Sequence, residues 1–267
     1  MNRWMISLRN VRKGLVCPLR FPGLGLAFGL LITLAACGGR QTQATGASGA
    51  SPAELLSTPA SVDWAPWPVP GKRYAAFEPV LLEGQPALRV RADASVSILR
   101  QRLEPALSGS GRLRFSWRAD ALPDEARLQE SGRDDAALRV LLAFEGDRSR
   151  WSARTHRLSE LSRLVTGEAL PYATLAYVWS ASDAPGTVVM NPRTDRIRKL
   201  VLDSGVEHLG QWRTHERDIR ADFVRAFGEE PGPLVAVALM TDTDNTGSRL
   251  QAWYGPLLLQ AGRPVAP

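Results

Sequence analysis

Apolar and polar residues alternate along much of the chain after residue 74, and this alternation predicts β-strands. The segment GRLRFSWRAD at 111–120 places Leu113, Phe115 and Trp117 on one face and arginines on the other. The same two-residue period recurs in two further segments, 86–94 and 137–146. Because successive strand side chains point to opposite sides of a sheet, these segments indicate strands with one buried and one solvated face.

Other segments are apolar at nearly every position, which is typical of strands covered on both faces. They are 174–181, 187–191, 198–204 and 234–240. Clusters of Asp, Asn, Pro and Gly separate several of them and predict turns. The segment 218–227 has helical spacing instead, with Ile219, Phe223 and Phe227 four residues apart and Gly228 after them. A second helix is predicted near 157–165.

Many strands, few helices and no regular exchange of strand and helix predict a mainly β protein. The architecture that we expect is an antiparallel two-sheet, jelly-roll-like sandwich with one or two short helices. A single domain over 64–262 would form it. A body of this length can bury enough apolar surface to fold without disulfides.

The start of the chain has the pattern of a bacterial lipoprotein leader. Basic residues such as Arg3 and Lys13 precede an apolar run at 21–36, which falls short of the roughly 20 residues that a membrane-spanning helix needs. The run ends in Leu-Ala-Ala-Cys. We therefore expect residues 1–36 to be a lipoprotein signal peptide and Cys37 to be the lipid attachment site. The alternative is an ordinary signal peptide with a chance cysteine.

Residues 37–63 comprise this cysteine and a stretch rich in Gly, Ser, Thr, Ala and Gln, which is the composition of a flexible linker. The expected partner is therefore a membrane, reached through the lipid anchor. Gly38 follows the cysteine at the position where Asp would retain a lipoprotein at the inner membrane. We expect an exported protein anchored in the cell envelope, with the outer membrane, facing the periplasm, favoured over the inner membrane.

Composition excludes several functions once the leader is set aside. The formal net charge of +6 falls nearly to neutrality without the basic residues of the leader, so no nucleic-acid partner is indicated. One of the two cysteines belongs to the leader and the other to the lipid site, which leaves no thiol for a disulfide, a zinc cluster or a nucleophile. No Walker loop, GxSxG elbow or HExxH motif occurs, so we predict no nucleotide and no catalytic residue.

The segment MTDTDNTG carries the candidate binding chemistry. Asp242, Asp244 and Gly247 occupy positions one, three and six of a calcium-loop pattern, but Thr246 and Trp253 stand at positions five and twelve. The pattern therefore excludes an EF-hand. It leaves three interpretations: a polar hairpin loop, a looser Ca²⁺ site at Asp242 and Asp244, or a substrate contact. Ca²⁺ is the one cofactor that the sequence suggests.

Tryptophan is the remaining indication of a ligand, because flat aromatic rings stack on sugar faces. Trp117 and Trp179 lie on apolar strand faces and are expected in the core. Trp253 shares a strand face with Gln251, which makes it the best candidate for an exposed ring. The candidate ligand-binding residues are Trp253, Asp242, Asp244, Asn245 and Asn191.

Several long segments resemble one known protein family. They are NPRTDRIRKLVLDSG, LGQWRTHERDI and FVRAFGEEPGPLVAVALMTDTDNTGSRLQAWYG, in this order. Over roughly 74–259 the chain is similar to domain-of-unknown-function family 3047, a group of bacterial exported proteins without an assigned activity. The resemblance implies a jelly-roll module of the kind that binds carbohydrate, and it transfers no catalytic residues. The family motif ends in Tyr-Gly-Asp where this chain has Pro256, so an acid that could complete a polar site is absent.

These observations favour a lipid-anchored cell-envelope protein that binds a glycan or another envelope component without catalysis. One alternative is a polysaccharide-acting hydrolase or lyase, for which hydrolysis would need two carboxylates about 5–9 Å apart. The other is a structural or assembly lipoprotein that binds a protein partner, which a large exposed apolar patch would favour.

Overall fold

The alternating segments form two β-sheets in the computed structural model, which describes residues 64–109 and 111–262. In chain order the strands are β1 (Ala65–Pro66), β2 (Phe77–Leu82), β3 (Gln85–Asp93), β4 (Val96–Leu107), β5 (Gly111–Ala119), β6 (Ala136–Phe144), β7 (Ala173–Ser180), β8 (Val188–Met190), β9 (Ile197–Ser204), β10 (Arg213–Asp218), β11 (Leu234–Asp242) and β12 (Arg249–Ala261). The α-helices of this part of the chain are α1 (Ala153–Thr166) and α2 (Ile219–Phe227), and a short 3-10 turn (Arg148–Arg150) precedes α1.

The two sheets face each other as an open sandwich. One has seven strands in the order β1-β4-β11-β6-β7-β9-β8, and the other has five in the order β10-β5-β12-β3-β2. The predicted mainly β, two-sheet sandwich with short helices is therefore confirmed. One pair among the described strands departs from the antiparallel prediction, because β7 and β9 run parallel. β8 takes the sheet edge and β9 returns between β8 and β7, so β9 runs in the direction of β7.

The core lies between the sheets and is built from the apolar faces of the alternating strands. Leu113, Phe115 and Trp117 of β5 are all buried, as the two-residue period predicts. The rings of Phe115 and Tyr177 stack across the two sheets with their centroids 5.9 Å apart. Burial of such side chains supplies the main favourable free energy of folding. The two sheets therefore associate because the alternation of apolar and polar residues gives each of them an apolar face to bury.

α2 follows its predicted pattern. Asp218 caps the helix by accepting a hydrogen bond of 2.9 Å from the Ala221 amide, and Gly228 ends it in a left-handed conformation with φ of 70°. Phe223, at the centre of the predicted stripe, is fully buried, and its ring centroid lies 4.7 Å from that of Phe144. The helix begins one residue later than the pattern predicts, because a cap residue belongs to the sequence signal but not to the helix.

α1 is longer than predicted and packs with reversed polarity. It starts four residues before the predicted 157–165, because Ser152 accepts a hydrogen bond of 3.2 Å from the Thr155 amide. The buried residues of this helix are polar, Thr155 and Ser159. Its exposed apolar residues are Leu161, Leu164 and Val165. The apolar spacing of α1 therefore marks a stripe that faces solvent. Its buried hydroxyl groups contact neighbouring loops instead, Thr155 at Thr194 and Ser159 at the Leu170 amide.

The connection between β11 and β12, residues 243–248, crosses from one sheet to the other. β11 lies in the seven-stranded sheet and β12 in the five-stranded sheet. The interpretation of this segment as a hairpin loop is therefore wrong, because its flanking strands belong to different sheets. Thr243 anchors the crossing: its amide donates to the Ser95 carbonyl at 3.0 Å, and its hydroxyl accepts from the Ser95 amide at 3.1 Å. We call residues 243–248 the crossover loop.

The predicted signal peptide at 1–36, the lipid site at Cys37 and the linker over 37–63 lie outside the described residues. Within 64–109 and 111–262, neither helix combines the length and the apolar composition that a bilayer span requires. Anchoring of the chain therefore stays a prediction from its sequence.

Candidate functional site

The outer face of the seven-stranded sheet carries a cleft of about 890 Å³. Two rows of laterally paired residues form its floor. The first row is Arg100, Ala238, Leu141, Ala176 and Lys199, and the second is Arg102, Ala236, Ala143, Thr174 and Ile197. Each row crosses the same strands from β4 to β9. The first row therefore has a cation at each end and apolar side chains between them.

The cleft exists because small side chains line the interior of its floor. Alanines occupy two of the three interior positions of each row, and they leave a furrow that larger residues would fill. Adjacent strands are spaced about 4.8 Å apart, which places the Arg100 and Lys199 backbones roughly 19 Å from each other. An elongated ligand with an apolar face and polar groups at its ends fits such a floor.

At the β4 end of the cleft, Arg100 links an aromatic ring to a carboxylate. Its guanidinium carbon lies 4.2 Å from the ring centroid of Trp67, and its terminal nitrogens bond the two oxygens of Glu168 at 2.7 and 2.9 Å. Arg102 adds a second ion pair to Glu168 at 2.6 Å. The hydrogen bonds from Arg100 are the main cause that lowers the pKa of Glu168 to about 2. Glu168 is therefore ionised at neutral pH and is not a proton donor.

A second part of the cleft, which we call the acidic end, gathers aspartates and basic residues. The lining residues are Asp134, Asp242 and Asp244, with Lys72, Arg139 and Lys199, and Asp135 lies beside Asp242 and Asp244. Arg139 Nη1 lies 3.0 Å from Asp242 Oδ2, and Lys199 Nζ lies 3.2 Å from Asp134 Oδ2. Burial lowers the pKa of Lys199 to about 8, and the charge of Arg139 acts in the same direction. Both lysines of the described chain therefore lie at this end.

The carboxylates of the acidic end differ in their affinity for a proton. Burial is the main cause that raises the pKa of Asp242 to about 7, against the opposing charge of Arg139. The neighbouring carboxylates of Asp244 and Asp135 raise it further. For Asp244 burial also acts upward, but hydrogen bonds with Asp242 and Lys72 hold its pKa below the usual value. Near neutral pH these carboxylates therefore favour binding of a positive charge, either a proton that they share or another cation.

Asp135 fixes the crossover loop at the acidic end. Its Oδ1 accepts a hydrogen bond of 2.8 Å from Asn245 Nδ2, and its Oδ2 accepts from the Thr246 amide and hydroxyl at 2.8 and 2.9 Å. Oxygens of Asp135, Asp242 and Asp244 all lie within 4.8 Å of one another. A well-anchored loop therefore holds three carboxylates together, and carboxylate oxygens are the donors that hard metal ions prefer.

The structure brings four of the five predicted ligand-binding residues to the cleft. These are Asp242, Asp244, Asn245 and Asn191. Trp253 instead lies on β12 of the five-stranded sheet, where it is half-buried and the Arg118 guanidinium lies 5.8 Å from its ring centroid. A ligand in the cleft does not contact Trp253, because the two lie on different sheets. The aromatic ring at the cleft is that of Trp67.

Sequence reasoning missed most of the charged residues of the cleft. Arg139 and Lys199 stand in the apolar segments ALRVLLAF and RKLVLDS, and a charge inside an apolar strand is the signal that could find them. Asp135, Trp67 and Arg100 have no comparable signal, because the residues that they contact lie far away in the sequence or in another strand.

The chain belongs to the family described as "Protein of unknown function (DUF3047)", which it matches over residues 62–258. The match spans all strands from β1 to β11 and most of β12, so it includes the whole floor of the cleft. The predicted resemblance to this family is confirmed. No curated protein matches the chain.

Solved structures resemble the sandwich at low sequence identity. The family 11 carbohydrate-binding module of cellulosomal cellulase Lic26A-Cel5E of Clostridium thermocellum is 8% identical with a TM-score of 0.40, over 78% of this chain and 94% of that chain. The xyloglucanase domain of NopAA, a type three effector from Sinorhizobium fredii, is 8% identical with a TM-score of 0.34, over 70% and 93%. The family 11 xylanase from Neocallimastix patriciarum is 10% identical with a TM-score of 0.30, over 74% and 95%. At these values the likeness concerns the fold alone.

Proposed function

We propose that this protein is a non-catalytic binding module for a glycan or a chemically similar component of the cell envelope, held at a membrane by a lipid on Cys37. The observation that carries the binding proposal is the elongated cleft, whose apolar floor ends in Arg100 and Lys199. Such a floor provides contact area along a ligand and charged groups at its ends.

Sugar chains present two kinds of surface, and the cleft has a counterpart for each. Their C–H faces are apolar and pack against small or aromatic side chains, here the floor alanines, Leu141 and the ring of Trp67. Their hydroxyl edges need hydrogen-bond donors and acceptors, which Asn245 and Asp244 supply at the acidic end. The cleft therefore suits a neutral or weakly charged oligosaccharide that lies along the floor.

Protein contacts fix the rim of the cleft. The Trp67 amide donates to the Ile98 carbonyl at 2.9 Å, and Arg100 stacks on the Trp67 ring while both of its terminal nitrogens bond Glu168. A side chain that is already fixed loses little conformational entropy when a ligand binds. This arrangement supports a binding role for the Trp67 ring.

The test is a binding screen of the purified protein against bacterial and plant polysaccharides, first on arrays and then by calorimetry. We expect Trp67→Ala to weaken binding of a retained polysaccharide about tenfold or more, equivalent to about 1.4 kcal/mol. Ala143→Trp fills the floor and is expected to abolish binding. Trp253→Ala is the matched control, because it removes a tryptophan of the other sheet, and it is expected to leave affinity unchanged.

Two outcomes would count against the glycan proposal. One is an array on which no polysaccharide is retained, and the other is an equal loss of affinity in Trp67→Ala and Trp253→Ala. Release of new reducing ends during incubation would favour the alternative of a polysaccharide hydrolase. Asp242 and Asp244 would then be its candidate acid pair, because their pKa values are shifted in opposite directions.

The membrane part of the proposal is supported by the leader pattern before Cys37 and by the linker composition that follows it. Intact mass measurement of the protein from its native cells is the test. We expect a chain that starts at Cys37 and carries lipid, and a Cys37→Ser variant that lacks the lipid. An unmodified Cys37 would contradict the anchor and leave the cleft proposal standing.

A second candidate function is binding of a protein partner in envelope assembly, and the exposed stripe on α1 favours it. Leu161, Leu164 and Val165 are 56%, 84% and 54% exposed and lie on adjacent turns. Grouped apolar side chains at a surface often mark an interface. Replacing Leu161 and Leu164 with Gln is expected to remove a cross-linked partner in cells while polysaccharide binding is retained. An unchanged cross-linking pattern would contradict this role.

A further inference from the structure

We propose that Asp135, Asp242 and Asp244 form a binding site for a hard divalent cation, best matched by Ca²⁺, at the acidic end of the cleft. The sequence pattern suggests Ca²⁺ at Asp242 and Asp244, and the structure adds a third carboxylate from the loop before β6. The site shares Asp244 with the proposed glycan cleft, but cation binding and polysaccharide binding are measured separately, so either proposal can fail while the other stands.

The spacing of the carboxylates suits Ca²⁺. Oxygens of Asp135, Asp242 and Asp244 lie at most 4.8 Å from one another. A point between three atoms with that separation is within about 2.8 Å of each, and Ca²⁺ takes oxygen ligands at about 2.3–2.6 Å. A small inward adjustment therefore completes three protein ligands. Mg²⁺ needs ligands near 2.1 Å in strict octahedral geometry and fits this spacing less well.

An unpartnered oxygen points independently to a cation site. The Asp242 side chain is only 8% exposed, and its Oδ2 is occupied by Arg139 at 3.0 Å. Its Oδ1 is buried, and no N–H or hydroxyl donor within residues 64–109 and 111–262 bonds it, so its polar neighbour there is the Asp244 carboxyl group. Burial of a carboxylate oxygen without a partner is costly, and coordination to a cation removes that cost.

Protein hydrogen bonds fix the loop geometry. The Asp135 carboxylate is held by Thr246 and Asn245, and Thr243 is held by Ser95. Each Asp135 oxygen still has a second lone pair, since an ionised carboxylate offers about four acceptor positions. The hydrogen bonds from the crossover loop therefore orient Asp135 and do not exhaust it.

Basic residues face the same carboxylates and set the affinity. Arg139 bonds the other oxygen of Asp242 and Lys199 pairs with Asp134, so both have partners outside the three ligand oxygens. Lys72 contacts Asp244 itself, and its side chain is 45% exposed. A flexible, exposed ammonium can leave the carboxylate at little cost. Lys72 is therefore the direct competitor of the cation.

The experiment is calorimetry and thermal unfolding of the purified protein after chelator treatment, with titration to about 10 mM Ca²⁺, beyond the millimolar range of weak extracellular sites. We expect one saturable site and a rise in Tm. Asp244→Asn is expected to weaken Ca²⁺ binding about tenfold or more, because the ligand charge falls. Lys72→Met is expected to tighten binding severalfold, because the competing ammonium is removed.

Glu216→Gln serves as the control, because the exposed Glu216 carboxylate pairs with Arg112 away from the cleft. The Ca²⁺ affinity of this variant is expected to equal that of the parent protein. The inference is overturned if the parent shows neither Ca²⁺-dependent heat nor a Tm shift. It is equally overturned if Asp244→Asn, shown to be folded by circular dichroism, binds Ca²⁺ as tightly as the parent.

Discussion

Asp203 on β9 accepts a hydrogen bond of 2.7 Å from the indole Nε1 of Trp117 on β5, so a carboxylate of one sheet meets an indole of the other inside the sandwich. His215 Nε2 lies 2.7 Å from the same carboxylate, and Arg213 Nε donates to it at 3.0 Å. Burial acts to raise the pKa of Asp203, yet the hydrogen bonds from His215 and Trp117 hold it below the usual value. Asp203 is thus a polar link between β9 and the β5–β10 edge.

Asp203→Ala is expected to lower the free energy of unfolding by about 3 kcal/mol or more, because it leaves the buried indole donor of Trp117 and the half-buried ring of His215 without their hydrogen-bond partner. Urea denaturation followed by tryptophan fluorescence measures the change. Glu216→Ala is the control on β10, since Glu216 pairs with Arg112 at the surface and its loss is expected to cost less than about 0.5 kcal/mol. Equal effects of the two substitutions would contradict the role of Asp203.

Glu168→Gln is expected to change the pH dependence of stability. The pKa of Glu168 is lowered from 4.5 to about 2 in the folded protein. Its stabilising contribution is therefore complete above the unfolded pKa and is lost as the pH falls from 4.5 towards 2. The effect is modest, because the side chain is partly exposed. Denaturation midpoints of the parent and the variant should differ at pH 7 and converge near the lower pKa; a constant difference would contradict this account.

Tyr177→Phe is expected to destabilise the protein by about 1 kcal/mol, because its hydroxyl donates to Asp222 at 2.9 Å inside the core. Asp222 keeps a second donor, since Arg217 Nε bonds it at 2.8 Å. Asp222→Ala removes the acceptor of both donors and is expected to cost more than Tyr177→Phe. Chemical denaturation of the two variants gives the order, and the reverse order would show that the network is not centred on Asp222.

Gly232→Ala is expected to destabilise the entry to β11 by about 1–3 kcal/mol, because a Cβ there would overlap the backbone carbonyl of Glu145. Backbone atoms cannot turn aside as a side chain can, so two chain segments must separate. Gly84→Asn is the control: Gly84 has φ of 78° with open space around it, and Asn tolerates that conformation. Thermal unfolding compares them, and a neutral Gly232→Ala would contradict the close approach.

The sequence predicts the elements well because their signals are local. The period in β5 and the Ile219, Phe223 and Phe227 spacing in α2 come from residues that neighbour each other along the chain. Each pattern predicts which face of its strand or helix is apolar. α1 departs from its pattern, because Leu161, Leu164 and Val165 face solvent, whereas the buried hydroxyl groups of Thr155 and Ser159 contact neighbouring loops.

The cleft could be predicted only in part, because it depends on lateral register between distant segments. Asp242 and Asp244 are recognisable from their spacing in the loop pattern, whereas Asp135 joins them from a loop more than a hundred residues earlier. The row that connects Arg100 to Lys199 exists only when β4, β11, β6, β7 and β9 are ordered side by side. No local pattern encodes that order.

The gathering of Lys72 and Lys199 at the acidic end makes this region selectively addressable by covalent labelling. The chain has 33 basic residues but only three lysines, and the third is Lys13, in the predicted leader. Of the lysine side chains in the described part of the chain, an acylating reagent that spares guanidinium groups would therefore modify Lys72, beside Asp244, before Lys199, since Lys72 is exposed and Lys199 is enclosed. Mass spectrometry of the Lys72 adduct would report directly whether a ligand or an ion shields this corner of the sheet.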